Sequence, residues 1–235
     1  VNTLLQNENG ILGSEVAQRE LAGAERASVL VLSDTHGHYE VFESIVREFG
    51  PRSDALLFAG DGMWDIVQYV ENARSSDRLA ACLPPVVAFV AGNGDGDQYR
   101  VSLSPAEEGS SYDEAPGYTI GVPARQILRA AGYGILLVHG HHHSVDFSLD
   151  VLVDSAHAMD CDVVVYGHTH VPLAEEFSHI LALNPGSPAR PRGHSSPGFA
   201  VLELDAASTV PSVLFFTVRE HARGGFRIES VSRAR

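Results

Sequence analysis

"SVLVLSDTHGH" (residues 28–38) joins an apolar run without charge to Asp34, His36 and His38 within five residues. A short run of Val and Leu bounded by a polar turn predicts a buried strand. An ordinary surface loop has no use for three metal-liking side chains at that density. In an open α/β sheet, ligands bind in the crevice beyond the carboxyl ends of the strands. The reading therefore turns on whether other strands end in the same way.

Four others do. "DALLFAGD" (54–61) ends in Asp61, and "PVVAFVAGNGD" (85–95) ends in Asn93-Gly94-Asp95. "GILLVHG" (134–140) leads into His139-Gly140-His141, and "CDVVVYG" (161–167) leads into His168-Thr169-His170. Between the first three lie "YEVFESIVREFG" (39–50), with apolar residues at helical spacing and a Gly50-Pro51 stop, and a second helix, "MWDIVQYVENAR" (63–74). Alternating strands and helices predict a parallel, layered α/β arrangement. Taken singly, Asp34 reads as a helix cap, Asp61 and Asn93 as turn residues, and "HGHHH" as a solvated loop. Five strand ends making the same unusual choice read jointly as one site. Its oxygen and imidazole donors suit divalent cations. A single zinc ion takes about four ligands. Seven convergent donors point instead to two ions about 3.5–4 Å apart with a shared carboxylate. Glycines stand beside the donors, at 37, 60, 62, 92, 94, 140 and 167, where backbone must turn sharply or approach closely.

The remaining segments set the organisation. Residues 1–27 are polar and mixed, with a short helix expected from "SEVAQRELAGAERA" capped by Ser14; they are read as an N-terminal extension to one domain over 28–235. Residues 96–117 have the composition of a loop or insertion bordering the site. From 118 onward, "RQILRAA" and "GILLVHG" predict a hairpin turning near Gly132 and Gly134, and residues 148–160 an amphipathic helix. Five short β segments then follow and are expected to build a β-rich second sheet.

Bulk properties narrow the function. The 235 residues suffice for an ample core, and 44% hydrophobic with 20% charged residues is ordinary for a globular protein. The formal charge of −14, from 30 acids and 16 bases, argues against a broad nucleic-acid surface. Metal ions would reverse the field locally, so a small phosphate ester remains compatible. Cys82 and Cys161 make no disulfide framework and read as small core residues of a protein in a reducing, cytoplasmic setting. No apolar stretch approaches the ~20 residues of a membrane helix. Of the twelve histidines, eight fall in three tight clusters.

The motifs "SDTHG", "AGD", "GNGD", "VHGH" and "YGHTH", in this order, resemble the calcineurin-like metallophosphoesterase superfamily. "LNPGSPARPR" (183–192) after "GHTHVP" is similar to the small bacterial and archaeal phosphodiesterase branch, which is related to the retromer scaffold subunit. The resemblance covers about residues 28 to 205. It implies a four-layer α/β/β/α sandwich of two mixed β-sheets flanked by helices. It also implies that Asp34, His36, Asp61 and His170 hold one metal and Asp61, Asn93, His139 and His168 a second, with Asp61 bridging. The implied activity is hydrolysis of a small phosphate ester, a phosphodiester first, by a hydroxide bridging two divalent ions: manganese, or else iron, zinc or nickel. The alternative it carries is a protein-binding scaffold with vestigial metal sites.

Other residues take subsidiary expectations. Asn93, His38 and His141 are candidate substrate contacts, and His141 is also a candidate catalytic group beside Asp61. Asn184 to Ser187 form a turn, with Ser187 and Arg190 near the phosphate as a secondary reading. Ser33 and Ser187 are not needed as nucleophiles. Many phosphatases of the superfamily carry a His directly after the ligand Asn, thought to protonate the leaving group; here that position is Gly94. Association into a homo-oligomer is left open.

Overall fold

The computed structural model describes residues 2–103, 116–222 and 224–231. Its first sheet is built from β1 (Arg26–Leu32), β2 (Ala55–Phe58), β3 (Val86–Phe89), β11 (Gly198–Asp205), β12 (Ser212–Glu220) and β13 (Phe226–Ser230), in the order β13-β12-β11-β1-β2-β3. Strands β1, β2 and β3 are parallel, with Leu32 opposite Phe58 and Phe58 opposite Phe89. β11 pairs antiparallel to β1, with Val29 opposite Leu202. The second sheet runs β6-β7-β8-β10-β9, from β6 (Arg125–Ala130), β7 (Tyr133–Val138), β8 (Val163–Val165), β9 (Leu173–Phe177) and β10 (Ile180–Asn184).

The two sheets stack, and alternation along each strand divides the apolar residues between three cores. Val29, Val31, Ala55 and Leu57 meet Ile135, Leu137, Val163 and Val165 between the sheets. The opposite faces, Leu30, Leu32, Leu56 and Phe58, pack under α2 (Tyr39–Phe49) and α3 (Met63–Arg74), through Phe42, Ile45, Ile66 and Tyr69. Phe42 meets Phe58 and Tyr69 edge-on, with ring centroids 6.0 and 5.9 Å apart. Leu136, Val138 and Val164 pack outward against Leu152, Val153 and Ala156 of α5 (Asp150–Ala158). The layers are therefore α/β/β/α, as the resemblance implies. Each fully buried Leu or Val in them is worth roughly 1.5–3 kcal/mol of burial. A charge at Val31, 0% exposed between the sheets, would break the stack.

Three sequence expectations are corrected. The C-terminal segments do not all build the second sheet: β11, β12 and β13 extend the first. A β-rich tail can add to either sheet, and only the pairing of β11 with β1 decides which. Residues 96–117 are not all loop: β4 (Gln98–Ser102) pairs antiparallel with β5 (Gly117–Gly121) as a separate ribbon whose Tyr99, Val101 and Ile120 are buried. Residues 104–115, the middle of that expected loop, lie outside the described residues. A short helix, α4 (Asp77–Cys82) capped by Ser76, escaped the periodicity reading because it spans only 6 residues. Cys161 is buried as expected, whereas Cys82 is half-buried.

The segment before β1 contains α1 (Glu15–Ala22), where the Ser14 hydroxyl accepts from Ala17 N–H at 3.1 Å. Upstream, Leu12 exchanges backbone hydrogen bonds with Val87 at 3.0 and 2.9 Å and so covers the β3 edge of the first sheet. Leu4, Ile11 and Leu12 are buried. Among the described residues no helix is long and apolar enough to cross a membrane.

Candidate metal centre

The five strand ends singled out in the sequence come from both sheets. β1, β2 and β3 supply the loops with Asp34 and His36, with Asp61, and with Asn93; β7 and β8 supply His139 and the His168–His170 turn. Backbone hydrogen bonds tie these loops together: Asp34 N–H to Gly60 O at 2.9 Å, His36 N–H to Asp61 O at 2.9 Å, and Gly167 N–H to His139 O at 3.0 Å. Side-chain bonds also cross between the sheets. His139 Nδ1–H donates to Ala59 O at 2.6 Å, and His168 N–H donates to Asp34 Oδ2 at 3.1 Å.

The backbone itself is strained here. Asp34, His36, Asp61, His168 and His170 have φ of 56°, 49°, 57°, 67° and 58°. This left-handed region costs a non-glycine residue on the order of 1 kcal/mol. Five of the seven candidate ligands adopt it, each directing its side chain inward from a sharp turn. Close approach explains two glycines beside them: a Cβ on Gly92 would overlap the Asp61 carboxylate, and one on Gly167 would overlap the Ser33 hydroxyl.

The side chains form two overlapping groups, Asp34-His36-His170 and Asp34-Asp61-His139. His170 Nε2 lies 3.2 Å from Asp34 Oδ1 and 3.1 Å from His36 Nε2. His36 Nε2 is 3.9 Å from Asp34 Oδ1 and 3.9 Å from Asp61 Oδ2. His139 Nε2 is 3.6 Å from Asp61 Oδ2 and 3.2 Å from Asn93 Oδ1, and His168 Nδ1 is 2.9 Å from the same Asn93 oxygen. Asp34 is the carboxylate the two groups share, Asp61 Oδ2 lies within reach of both His36 and His139, and all seven candidates meet in one crevice.

The protonation pattern shows what the group lacks. His139 spends its Nδ1 proton on Ala59 O, and His170 spends its own on Arg190 O at 2.5 Å. His168 gives its Nε2 proton to Asp146 Oδ2 at 3.0 Å. The other ring nitrogens face each other and the oxygens of Asn93, Asp34 and Asp61. Asp34 Oδ1 is fully buried and accepts no hydrogen bond. Acceptors gathered without donors in a buried site are costly. Divalent cations satisfy them, and the outward N–H bonds are those that fix metal-ligating imidazoles. Burial pushes the His36 pKa below the ordinary imidazole value, more than Asp61 and Asp34 raise it. Burial also lowers that of His170, but the adjacent Asp34 carboxylate and the Arg190 carbonyl outweigh it and hold the value above ordinary.

Sequence reasoning did not find the residues that hold these ligands in place. Asp95 accepts four backbone N–H groups, from Asp61 (2.6 Å), Gly62 (3.1 Å), Met63 (2.9 Å) and Gly92 (3.0 Å). It fixes both the Asp61 turn and the start of α3. Its place in "GNGD" set it beside the site but did not mark it as an anchor. Asp65, buried in α3, receives the Thr35 hydroxyl and Gly37 N–H, and so braces the loop carrying His36. Ser187 donates to Asp34 O at 2.7 Å and accepts from Arg190 N–H at 2.8 Å, which makes it an anchor of the turn. Asp146 gave no signal in the sequence, because only folding brings it to His168.

His38 and His141 sit differently. His38 is exposed at the start of α2, with Nδ1 2.8 Å from Thr35 O, outside both ligand groups. His141 is half-buried, with its ring centroid 5.3 Å from that of His139 and 6.2 Å from that of His168. Burial, followed by the neighbouring His142, His139 and His168, pushes its pKa down to about 4, so it is a neutral imidazole near pH 7. Gly94 offers only its N–H, which donates to Asp61 Oδ1 at 2.7 Å.

Comparison with known proteins agrees with this architecture. A family model described as a calcineurin-like phosphoesterase superfamily domain matches residues 28–207. The probable metallophosphoesterase YsnB of Bacillus subtilis (strain 168) is 26% identical over 204 residues, covering 87% of this chain and 96% of its own. Phosphodiesterase YfcE of Escherichia coli (strain K12) is 27% identical over 188 residues, covering 77% and 90%. The structure of Vacuolar Protein Sorting 29 from Cryptosporidium parvum superposes with a TM-score of 0.58 at 18% identity over 89% of this chain and 100% of its own, a likeness of fold.

Proposed function

Because the chain belongs to the calcineurin-like phosphoesterase superfamily, we propose that it hydrolyses a small phosphodiester with two divalent ions bound at the crevice. The observation that carries this reading is the convergence of His139, His168, His170, Asn93 and Asp34 beside Asp61, with side-chain atoms paired at 2.9–3.2 Å and Asp34 Oδ1 buried without a hydrogen bond. Asp34, His36, Asp61 and His170 would hold one ion, and Asp61, Asn93, His139 and His168 the other. When bound, the ions would supply a water activated to hydroxide near neutral pH and neutralise charge on the phosphate oxygens.

The chain's own residues do the rest. Asp146, Ala59 O and Arg190 O hold the outer ring nitrogens by hydrogen bonds and so orient the other nitrogens inward. Asp95 holds the Asp61 turn. Asn93 brings a neutral oxygen rather than a third carboxylate, which leaves more net positive charge for a phosphate. His141, close to His139 and His168, is placed to contact a phosphate oxygen as a neutral N–H donor. A scaffold with vestigial sites is free to lose Asp or His at these positions; all seven donors are retained here, which favours the enzyme.

The test is metal reconstitution followed by a screen of phosphomonoesters, phosphodiesters and cyclic nucleotides, with manganese tried first and then iron, zinc and nickel. About two ions per chain and metal-dependent phosphodiester turnover are expected. Binding below one ion per chain with no turnover would reject the reading.

A further inference from the structure

A groove of about 600 Å³ opens beside the candidate metal centre, and nothing in the metal chemistry requires it. Gly37 and His38, which follow His36, line its inner end. Ala189, which precedes the Arg190 carbonyl that fixes His170, lines it too. The groove then runs outward between the first turn of α2 and the β12–β13 hairpin. Its wall combines two aromatic rings, Tyr39 and Phe226, with two carboxylates, Glu40 and Glu220. Tyr39 is held by Asn72, whose Nδ2 donates to its hydroxyl at 2.8 Å, and Phe226 packs against the helix-side core. Among the described lining residues there is no arginine, and the chain contains no lysine.

We infer that this groove is the subsite for one alcohol arm of the phosphodiester, and that it selects an arm carrying a positively charged amine or quaternary ammonium. This rests on the phosphodiesterase reading above. The N-terminus of α2 alone would favour an anion. Glu40 in its first turn and Glu220 opposite reverse that preference, because two full negative charges exceed about half a charge of helix dipole. Aromatic faces attract a weakly hydrated cation through their quadrupole, and carboxylates add to that attraction. A second phosphate, as in a nucleotide polyphosphate arm, would meet repulsion from these two carboxylates, with no arginine among the described lining residues to pair it.

The test uses two esters with one leaving group: p-nitrophenyl phosphorylcholine and p-nitrophenyl 3,3-dimethylbutyl phosphate. Their arms match in shape and differ only in charge. With the metal-loaded enzyme, kcat/KM is expected to be about 2–5-fold or more higher for the cationic ester. The double variant Glu40→Gln/Glu220→Gln should bring that ratio close to one. In the metal-free protein, saturation-transfer NMR should detect phenyltrimethylammonium bound to the wild type and not to the double variant. Turnover of both esters at equal rates by the wild type would overturn the subsite alone. No metal-dependent turnover of either ester would overturn the phosphodiesterase reading and the subsite with it. Binding of the ammonium probe unchanged in the double variant would also overturn the assignment of Glu40 and Glu220.

Discussion

His168 Nδ1 and Asn93 Oδ1 stand 2.9 Å apart, and Nε2 on the far side of the same ring lies 3.0 Å from Asp146 Oδ2. When Asp146 takes the ring's single proton, the two facing atoms are both acceptors and repel unless a cation lies against both. The contact is therefore informative about what the crevice binds, and several expected outcomes rest on it.

Metal addition should stabilise the protein. The donors lie outside the three apolar cores, so the chelated protein should stay folded, with Tm rising as divalent ions are added. At 100 times Kd the gain for one site is about 2.7 kcal/mol. Thermal melts with and without EDTA check this; an unchanged Tm at saturating manganese, iron, zinc and nickel would count against the centre.

Asp61→Asn should remove at least one ion per chain. The amide oxygen can still accept the Gly94 N–H that Asp61 Oδ1 now takes, so local structure should survive while the shared charge is lost. Activity should fall by more than the about 100-fold typical of losing a group that only supports a ligand. Metal analysis beside circular dichroism separates loss of ions from loss of fold.

Asp146→Ala should weaken metal binding about 10–100-fold, through the tautomer of His168 rather than through any direct contact. The NMR signals of the His168 ring nitrogens should show a shifted tautomer balance. Full metal affinity in this variant would mean that Asp146 is an ordinary surface acid.

Asp95→Asn should destabilise the fold by about 1–3 kcal/mol. Asp95 serves four backbone N–H groups with two oxygens, and an amide offers one oxygen and turns a donor toward the rest. Denaturant unfolding measures the loss. A variant as stable as wild type would assign Asp95 to another task.

Rates should depend steeply on leaving-group pKa. Gly94 has no side chain to protonate the departing alcohol, Asp95 is engaged as an acceptor of backbone N–H groups, and His141 is neutral near pH 7. A missing general acid costs about 10²–10⁴-fold on poor leaving groups. A graded series of aryl and alkyl diesters gives the slope, with bis-p-nitrophenyl phosphate turned over far faster than alkyl esters. A flat series with rate-limiting chemistry would show that another residue supplies the proton.

Much of the site was legible in one dimension. Each candidate ligand follows an apolar run by a few residues, and strand ends are where an α/β sheet presents its crevice, so Asp34, Asp61, Asn93, His139 and His168 could be picked out one strand at a time. The supporting residues could not. Asp146 lies in a loop of common composition, 22 positions from the histidine it orients. Asp65 looks like any acid on an amphipathic helix, although it is 1% exposed and braces the His36 loop. The outer strands were equally illegible in their destination, because "GFAVLELD" reads as a strand whichever sheet accepts it.

By itself the sequence determined which residue types meet at the crevice and that strands and helices alternate ahead of it. Hydrophobic periodicity and the chemistry of donors are local properties, carried within a few residues. Only the tertiary structure decided that β11 lies antiparallel to β1, which draws the C-terminal strands into the first sheet and places Phe226 and Glu220 beside α2. Only the stacking of the two sheets set His139 against Ala59 O and His168 against Asp34, and so fixed which nitrogens point inward. Those relations depend on packing between elements far apart in the chain. Many pairings of the same strands satisfy the local pattern equally well, and burial of both sheet faces selects one of them.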